Sequence, residues 1–587
     1  MVSNAYYQDE LRYLREVGPE FAQANPEIAR FLGDRGSDPD VERILEGVAF
    51  LCGRIRQKLD DELPELTASM MSLLWPHYLR PIPSMTILEF TPDVEQLQAP
   101  LVVEAGAEFA AAPVDGTQCR YRSCWPTTLR PWKIKDARLE AEGAKPVRLV
   151  ITLQTSTKAK LEDLGLDRVR FHPTGDPRTS FTLYLLLAAH VDHVTVSDGG
   201  RREELLGPEC VAAAGLGRDE AVIPYPPHSF AGYRLIQEYF TFKERFLFFD
   251  VLGLDRVIEK LELTDTLQLA ITFNRRLESF PLVSPDNVRL HCVPIINLFK
   301  SEAEPIRLRH DRVRYLVHPS RSGVADRRHV EIFSVDGVSG IAPSTGAEPR
   351  EYHPFYSFTH TPAPGARAAP YYQMHLEPSV LSDDRQQGTD MFFSFVSPGS
   401  EGQWPEDETI SIELTCTNRA LPGELRAGDI TVPTDSSPAG TQFRNILKPT
   451  PTISPPLGKR LHWRLISHMS LNHVPLTGAE HLKALLRVYD FQSEHDAQWA
   501  LAHQRMLDGI VSVRSQFAER MVRGAPLRGV SVEIELDEDH FAGEGDAFLF
   551  ASILDRFMSL YVTINAYSQL TVRFARSGQR WAFPPRS

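Results

Sequence analysis

The residues whose types could do chemistry in this chain fail, motif by motif, on spacing. Cys119 and Cys124, in GTQCRYRSCWP, are separated by four residues. Tetrahedral zinc needs paired Cys or His ligands, and no second pair lies nearby, so the two read as ordinary thiols. There is no HExxH, and His310 and His318, eight apart around a short strand-like segment, read as surface histidines. Gly215-Leu216-Gly217 opens like a phosphate-cradling loop, but Glu220 stands where the third glycine belongs. Gly458-Lys459 is followed by Arg460 and lacks the upstream glycine of a nucleotide loop, so both segments read as turns. Gly337-Val338-Ser339-Gly340 has the wrong spacing for a nucleophile elbow. Asp60-Asp61 and Asp383-Asp384 read as solvated pairs, since a glycosidase needs its carboxylates facing each other across a cleft. DEDHFAGEGD, Asp537 to Asp546, resembles a calcium loop only in composition. EYFTFKERFLFFD, Glu238 to Asp250, has the aromatic density of a base-stacking surface, but aromatics so crowded more simply form core. The sequence therefore offers no catalytic residue, cofactor site or metal site.

What the sequence does offer is apolar patterning that must be covered. Tyr7, Leu11, Leu14, Gly18 and Phe21 share one helical face. In SDPDVERILEGVAFLCGRIRQKLDDEL, Asp38 is a good N-cap, Pro39 suits the first helical position and Asp40 complements the dipole. Val41, Ile44, Leu45, Val48, Leu51, Cys52, Ile55 and Leu59 then form a continuous stripe, recurring near heptad spacing. A third helix is expected from Pro64 to about Tyr78. The candidate interface is accordingly Tyr7, Leu11, Leu14, Val41, Ile44, Leu45, Val48, Leu51, Ile55 and Leu59. The alternative is that the stripe packs on the chain's own β-rich domains.

After Pro83 short β-rich runs separated by Pro, Gly and Asp take over. In ISIELTCTN, for example, Ile410, Ile412, Leu414 and Cys416 alternate onto one face. FTLYLLLAAHV, Phe181 to Val191, reads as a buried strand, too short to span a bilayer. Gly340 to Pro370 reads as a long loop and Lys448 to Gly458 as a linker. Towards the end, helices are expected over Gly478 to Tyr489 and Glu494 to Leu507, and from Asp546 to about Leu560. Strands are expected at Gly509 to Arg514, Gly529 to Leu536 and Leu570 to Ala575. The expected fold class is α+β and multidomain: a helical segment 1–83, β-rich domains 84–310 and 311–458, and an α+β domain 459–587.

The bulk numbers agree with a folded protein of several domains. With 63 basic and 77 acidic side chains among 587 residues, the net charge is −14, a poor match to a phosphate backbone. The six cysteines are sparse and unpatterned, which suits a reducing compartment. No secretory signal and no membrane span is visible, so a cytoplasmic protein is expected.

The segments that lack catalytic chemistry carry a resemblance. DPDVERILEGVAFLCGRIRQKLDDELPELT, LLWPHYLRPIPSM (Leu73 to Met85), EYFTFKERFLFFDV, CVPIINLF (Cys292 to Phe299), TCTNRALPGEL (Thr415 to Leu425), WRLISHMSLN (Trp463 to Asn472) and DRFMSLYVTINAYSQL (Asp555 to Leu570) resemble, in order and over nearly the whole chain, the recurrent blocks of the TssF family (ImpG/VasA-like) of type VI secretion baseplate subunits. Trp75 stands where that family suggests tyrosine. The resemblance implies a non-enzymatic wedge subunit, without cofactor, at the cytoplasmic face of the inner membrane. Its implied partners are TssG and a second copy of itself, with TssK, TssE and the VgrG spike in the assembled baseplate. The other readings are a wedge protein of a phage tail or another contractile injection system, and a β-rich hydrolase.

Overall fold

The computed structural model describes residues 6–16, 39–60, 70–93, 97, 99–141, 146–155, 164–198, 202–226, 229–258, 260–261, 266–275, 281–309, 312–320, 324, 326–341, 349–355, 370–379, 388–396, 407–457, 478–522, 525–561 and 566–586. Helix α1 covers residues 6–16 and α2 covers Pro39–Asp60, with Asp40 and Glu42 in its first turn against the positive helix end. Asp38, the expected cap, lies outside the described residues. A helical turn at 70–74 and a tighter turn at Pro76–Leu79 lead into the β-rich body.

That body is built on an antiparallel six-stranded sheet of β1 (Met85–Pro92), β2 (Glu108–Ala111), β3 (Arg120–Ser123), β4 (Cys292–Ile296), β5 (Ile430–Pro433) and β6 (Thr441–Asn445). Its order is β5-β2-β3-β4-β1-β6. The central strands β1 and β4 are buried on both faces, which is why MTILEF and CVPII are near-continuous apolar runs rather than alternating ones. Strands β5 and β6 come from the far end of the β-rich stretch and close the sheet at both edges. A five-stranded sheet (Trp132–Glu140, Arg148–Thr155, Val191–Ser197, Glu203–Leu206, Thr266–Phe273) is inserted between β3 and β4, together with a four-stranded one. A further pair of sheets is formed mainly by Glu331–Ile341 with Glu408–Thr417 and by Tyr371–Pro378 with Thr389–Val396.

Towards the C-terminus stand α5 (Ala479–Tyr489), α6 (Ala497–Asp508), α7 (Glu544–Tyr561) and a four-stranded sheet. Its strands β7 (Ile510–Val522), β8 (Ala525–Leu536), β9 (Ala566–Phe574) and β10 (Arg580–Ala582) lie in sequence order. Strands β8 and β9 run parallel, and α7 makes the crossover between them. The largest core joins Met71 and Trp75, the six-stranded sheet, α5, α7 and the C-terminal sheet into one cluster. The α+β expectation holds.

Two local expectations are corrected. Phe181 to Val191, expected to be strand, lies up to Ala189 in helix α3 (Pro177–Ala189), capped by Asp176, whose side chain accepts from Thr179 N. Its apolar residues run all round because α3 lies between two cores. Phe181, Tyr184 and Leu185 enter the first, and Leu183, Leu186 and Leu187 enter the second. A helix buried on both sides shows no 3.6-residue period. The expected linker beginning at Lys448 is bound backbone to backbone: Thr450 N donates to Met85 O, and Ile453 pairs with Ile82.

Candidate interaction surface

Helices α1 and α2 form an antiparallel hairpin. Ala49 is fully buried, and Gly53 lets the backbones touch: a Cβ there would lie 3.0 Å from Tyr7 N and 3.1 Å from the Tyr6 carbonyl carbon. Ion pairs clamp the hairpin, Arg15–Glu42 and Arg56–Glu10, both at 2.8 Å. Arg54 reaches Glu377 at 3.7 Å, tying α2 to the β-rich body. Of the residues expected at an interface, Leu11 is buried, and Tyr7, Leu14 and Leu45 are half-buried. The side chains of Val41 and Leu59 lie outside the described residues.

The remaining four form an exposed face. Ile44, Val48, Leu51 and Ile55 are 65%, 40%, 62% and 60% exposed. Their offsets of 0, 4, 7 and 11 are those of a coiled-coil seam. The stripe is therefore divided: Leu45 and Cys52 turn partly inward beside Ala49 and Gly53, which close the hairpin, and the other four stand outward. Leu73 and Leu74 add exposed apolar surface just before the turn into β1.

The candidate chemical motifs are absorbed by packing. The Glu220 carboxylate accepts from Gly215 N at 2.7 Å and Gly217 N at 3.0 Å. The glycine turn thus holds the protein's own anion where a phosphate loop would hold its ligand. Glu220 is held in turn by Arg170 at 2.5 Å. In the aromatic segment, the buried Glu238 on helix α4 (Ala231–Thr241) accepts from Val222 N and Ile223 N and pairs with Arg245, itself fully buried and also donating to Gly215 O. Burial lowers the Arg245 pKa, and the Glu238 charge opposes that shift. Sequence reasoning found the aromatic core here but not the ion pair inside it; Glu238 and Arg245, seven apart, were the available signal.

Other blocks are joints between distant parts of the chain. His77 sits within 3.1 Å of Ser229 Oγ and 3.2 Å of the Tyr489 hydroxyl, stacked on Tyr225 at 4.3 Å. Tyr78 donates to Val488 O. Asn297 Nδ2 donates to Asn418 Oδ1 at 2.8 Å, and Asn418 N donates back to Asn297 Oδ1 at 2.7 Å. WPHYL and RVYDF, and CVPIINLF and TCTNRAL, are thus complementary pairs.

Asp490, His503 and Ser493 gather on one imidazole. Both Asp490 Oδ2, at 2.8 Å, and Ser493 Oγ, at 3.3 Å, meet His503 Nδ1. A catalytic triad needs its serine on the other ring nitrogen, so this is a buried polar knot. A groove of about 240 Å³ lined by Arg120, Phe299, Lys300 and neighbours carries one carboxylate, Glu302, rather than a facing pair. Among the described residues no group of three or more His, Cys, Asp or Glu side chains is placed to hold a metal. Cys119 and Cys124 are free thiols, with burial pushing the Cys119 thiol up to about 12 and that of Cys124 higher. Among the described residues no helix is long and apolar enough to cross a membrane.

A multi-sheet body with a helical hairpin presenting a bare seam is the build of an assembly subunit, and comparison with known proteins gives its family. The sequence model of the type VI secretion system protein TssF matches residues 3–587. The chain belongs to the TssF family. It is 31% identical to the type VI secretion system component TssF1 of Pseudomonas aeruginosa, over 99% of this chain and 98% of that one. It superposes on a chain of the TssK-TssF-TssG baseplate subcomplex, solved by cryo-electron microscopy, with a TM-score of 0.76 and 32% identity over 93% of this chain and 98% of that one. A chain of another type VI secretion baseplate complex matches with a TM-score of 0.70 and 27% identity, over 99% and 98%.

Proposed function

We propose that this protein is a structural wedge subunit of a type VI secretion baseplate, working by binding and catalysing no reaction. The observation that carries this reading is the seam of Ile44, Val48, Leu51 and Ile55 on a clamped helical hairpin. Fully burying such a side chain is worth about 1.5–3 kcal/mol. These four are already part-covered, so a partner helix laid on them would gain on the order of 4 kcal/mol in total. The partner in this reading is the TssG-like wedge protein, with a second copy of the chain completing the bundle. TssK, TssE and the VgrG spike join in the assembled baseplate, which seeds the contractile sheath at the cytoplasmic face of the inner membrane. The likeness to chains of baseplate complexes supports this assignment.

Segment 1–83 is then the partner-contact arm. The β-rich stretches 84–310 and 311–458, knit by β5 and β6, are the rigid body, and 459–587 forms the C-terminal unit. Co-expression with tagged TssG-like and TssK-like proteins from the same genome tests this. The untagged chain should co-purify with the tagged partner through size exclusion in a fixed ratio. Its elution alone, with both partners folded, would contradict the reading.

A further inference from the structure

The C-terminal sheet ends in an open edge. Strand β7 is thirteen residues long and pairs with β8 alone among the described strands. Other edges are blunted. Glu203–Leu206 and Ile430–Pro433 are four residues each. Trp132–Glu140 carries a register shift between Ile134 and Asp136 and is flanked there by Lys133 and Lys135. The irregularity in β7 lies at its base, between Ile510 and Ser512, leaving the outer part regular. A long, regular edge is a template for another strand, and the charges along it restrict which strand can pair there.

The two faces of β7 differ. Val513, opposite Ile534, and Ser515, opposite Val532, stand on the side of the sheet that packs under α7. Phe517 is next on that side, opposite Val530, and is 94% exposed. Glu519 follows, paired with Arg528 across the ladder at 3.6 Å, and Met521 lies beyond it at 66%. On the other side Arg514 and Arg520 are exposed, Arg520 standing opposite Leu527. A second copy of the strand is a poor occupant. Antiparallel self-pairing centred on Phe517 sets Arg514 against Arg520 twice, and like charges directly opposite repel.

We propose that β7 is a docking edge for an extended segment of a different protein, carrying an acidic residue, an apolar residue three positions on and a second acidic residue three further. That spacing sets the acids against Arg514 and Arg520 and the apolar side chain against Phe517, whichever way the strand runs. The surface is separate from the α2 seam, so either assignment can fail alone.

The test uses the full chain and two fluorescent peptides, Thr-Glu-Val-Thr-Phe-Thr-Val-Glu-Thr and its counterpart with Lys for Glu. The acidic peptide should bind at least about fivefold more tightly, as two reversed cross-strand charge pairs imply. It should slow hydrogen exchange in β7. Phe517→Asp should abolish binding, and Arg514→Glu with Arg520→Glu should invert the preference, all with unchanged melting temperature. Failure of the acidic peptide to bind, or equal binding of both peptides, overturns the proposal. So does binding indifferent to the arginine swaps. Slow exchange of β7 in the peptide-free monomer would overturn it by showing the edge already covered, and concentration-dependent self-association that shields β7 would do so by naming the wrong occupant.

Discussion

At the scale of single residues, the most deeply buried ion pair shows what a charge in the interior needs. Arg245 is fully buried and depends on Glu238. Removing one partner of a buried pair leaves an uncompensated charge, at about 3–5 kcal/mol. Glu238→Gln should therefore lower stability by about 3 kcal/mol or more in chemical denaturation; a loss below about 1 kcal/mol would show that Arg245 finds another partner or sheds its charge. His172 behaves differently. Packed 4.4 Å from Phe248, it is held neutral by burial, with its pKa lowered to about 3. Between pH 6.5 and 3 the unfolded chain binds a proton at this site that the folded chain does not. Stability from His172 is thus present above pH 6.5 and is lost as pH falls through that window. His172→Phe should keep the melting temperature at pH 7 and shrink its drop between pH 7 and 5. An unchanged drop would remove His172 as a source of acid sensitivity. Neither burial was legible in the sequence, because it depends on elements that meet only in the fold; for Glu238 and Arg245 the seven-residue spacing was the one trace.

At the scale of elements, legibility followed burial. α5 and α6 were readable from one-sided apolar periodicity, and α6 is capped by Asp496 as its sequence allows. α3 was not, because two cores cover it and erase the period; Asp176-Pro177 was the signal that arbitrates. Strand β7 was expected to stop at Arg514 and runs to Val522; its outer half is largely exposed, so no apolar alternation marks it in the sequence. In the N-terminal hairpin the stripe was visible, but its division was not. Gly53 marks the hairpin-facing side, since a Cβ there would crowd the backbone of Tyr6 and Tyr7 at 3.0–3.2 Å. Gly53→Val would press a side chain onto the backbone of Tyr6 and Tyr7, which cannot move aside as a flexible side chain would. The expected result is faster hydrogen exchange in α1 with the β-rich body unaffected. Unaltered exchange in α1 would mean that the close approach is not what holds the hairpin.

At the scale of the whole molecule, three of the blocks that carried the family resemblance prove to be joints: His77 meets Tyr489, 412 residues on, and Asn297 meets Asn418, 121 residues on. The return of β5 and β6 into the first sheet was not readable, because pairing between strands so far apart leaves no local pattern. A body locked in this way keeps its shape while a separate arm offers apolar surface. The central claim is that the arm's outward seam belongs to a partner. Val48→Asp with Ile55→Asp places two charges on exposed positions, where substitutions change stability by about 0.5 kcal/mol or less. Covered by a partner helix, the same charges would each cost several kcal/mol. One preparation of the double mutant, divided between a thermal melt and a pull-down with the TssG-like protein, decides between them. The account predicts an unchanged melting temperature and lost binding; retained binding with a lowered melting temperature would contradict it.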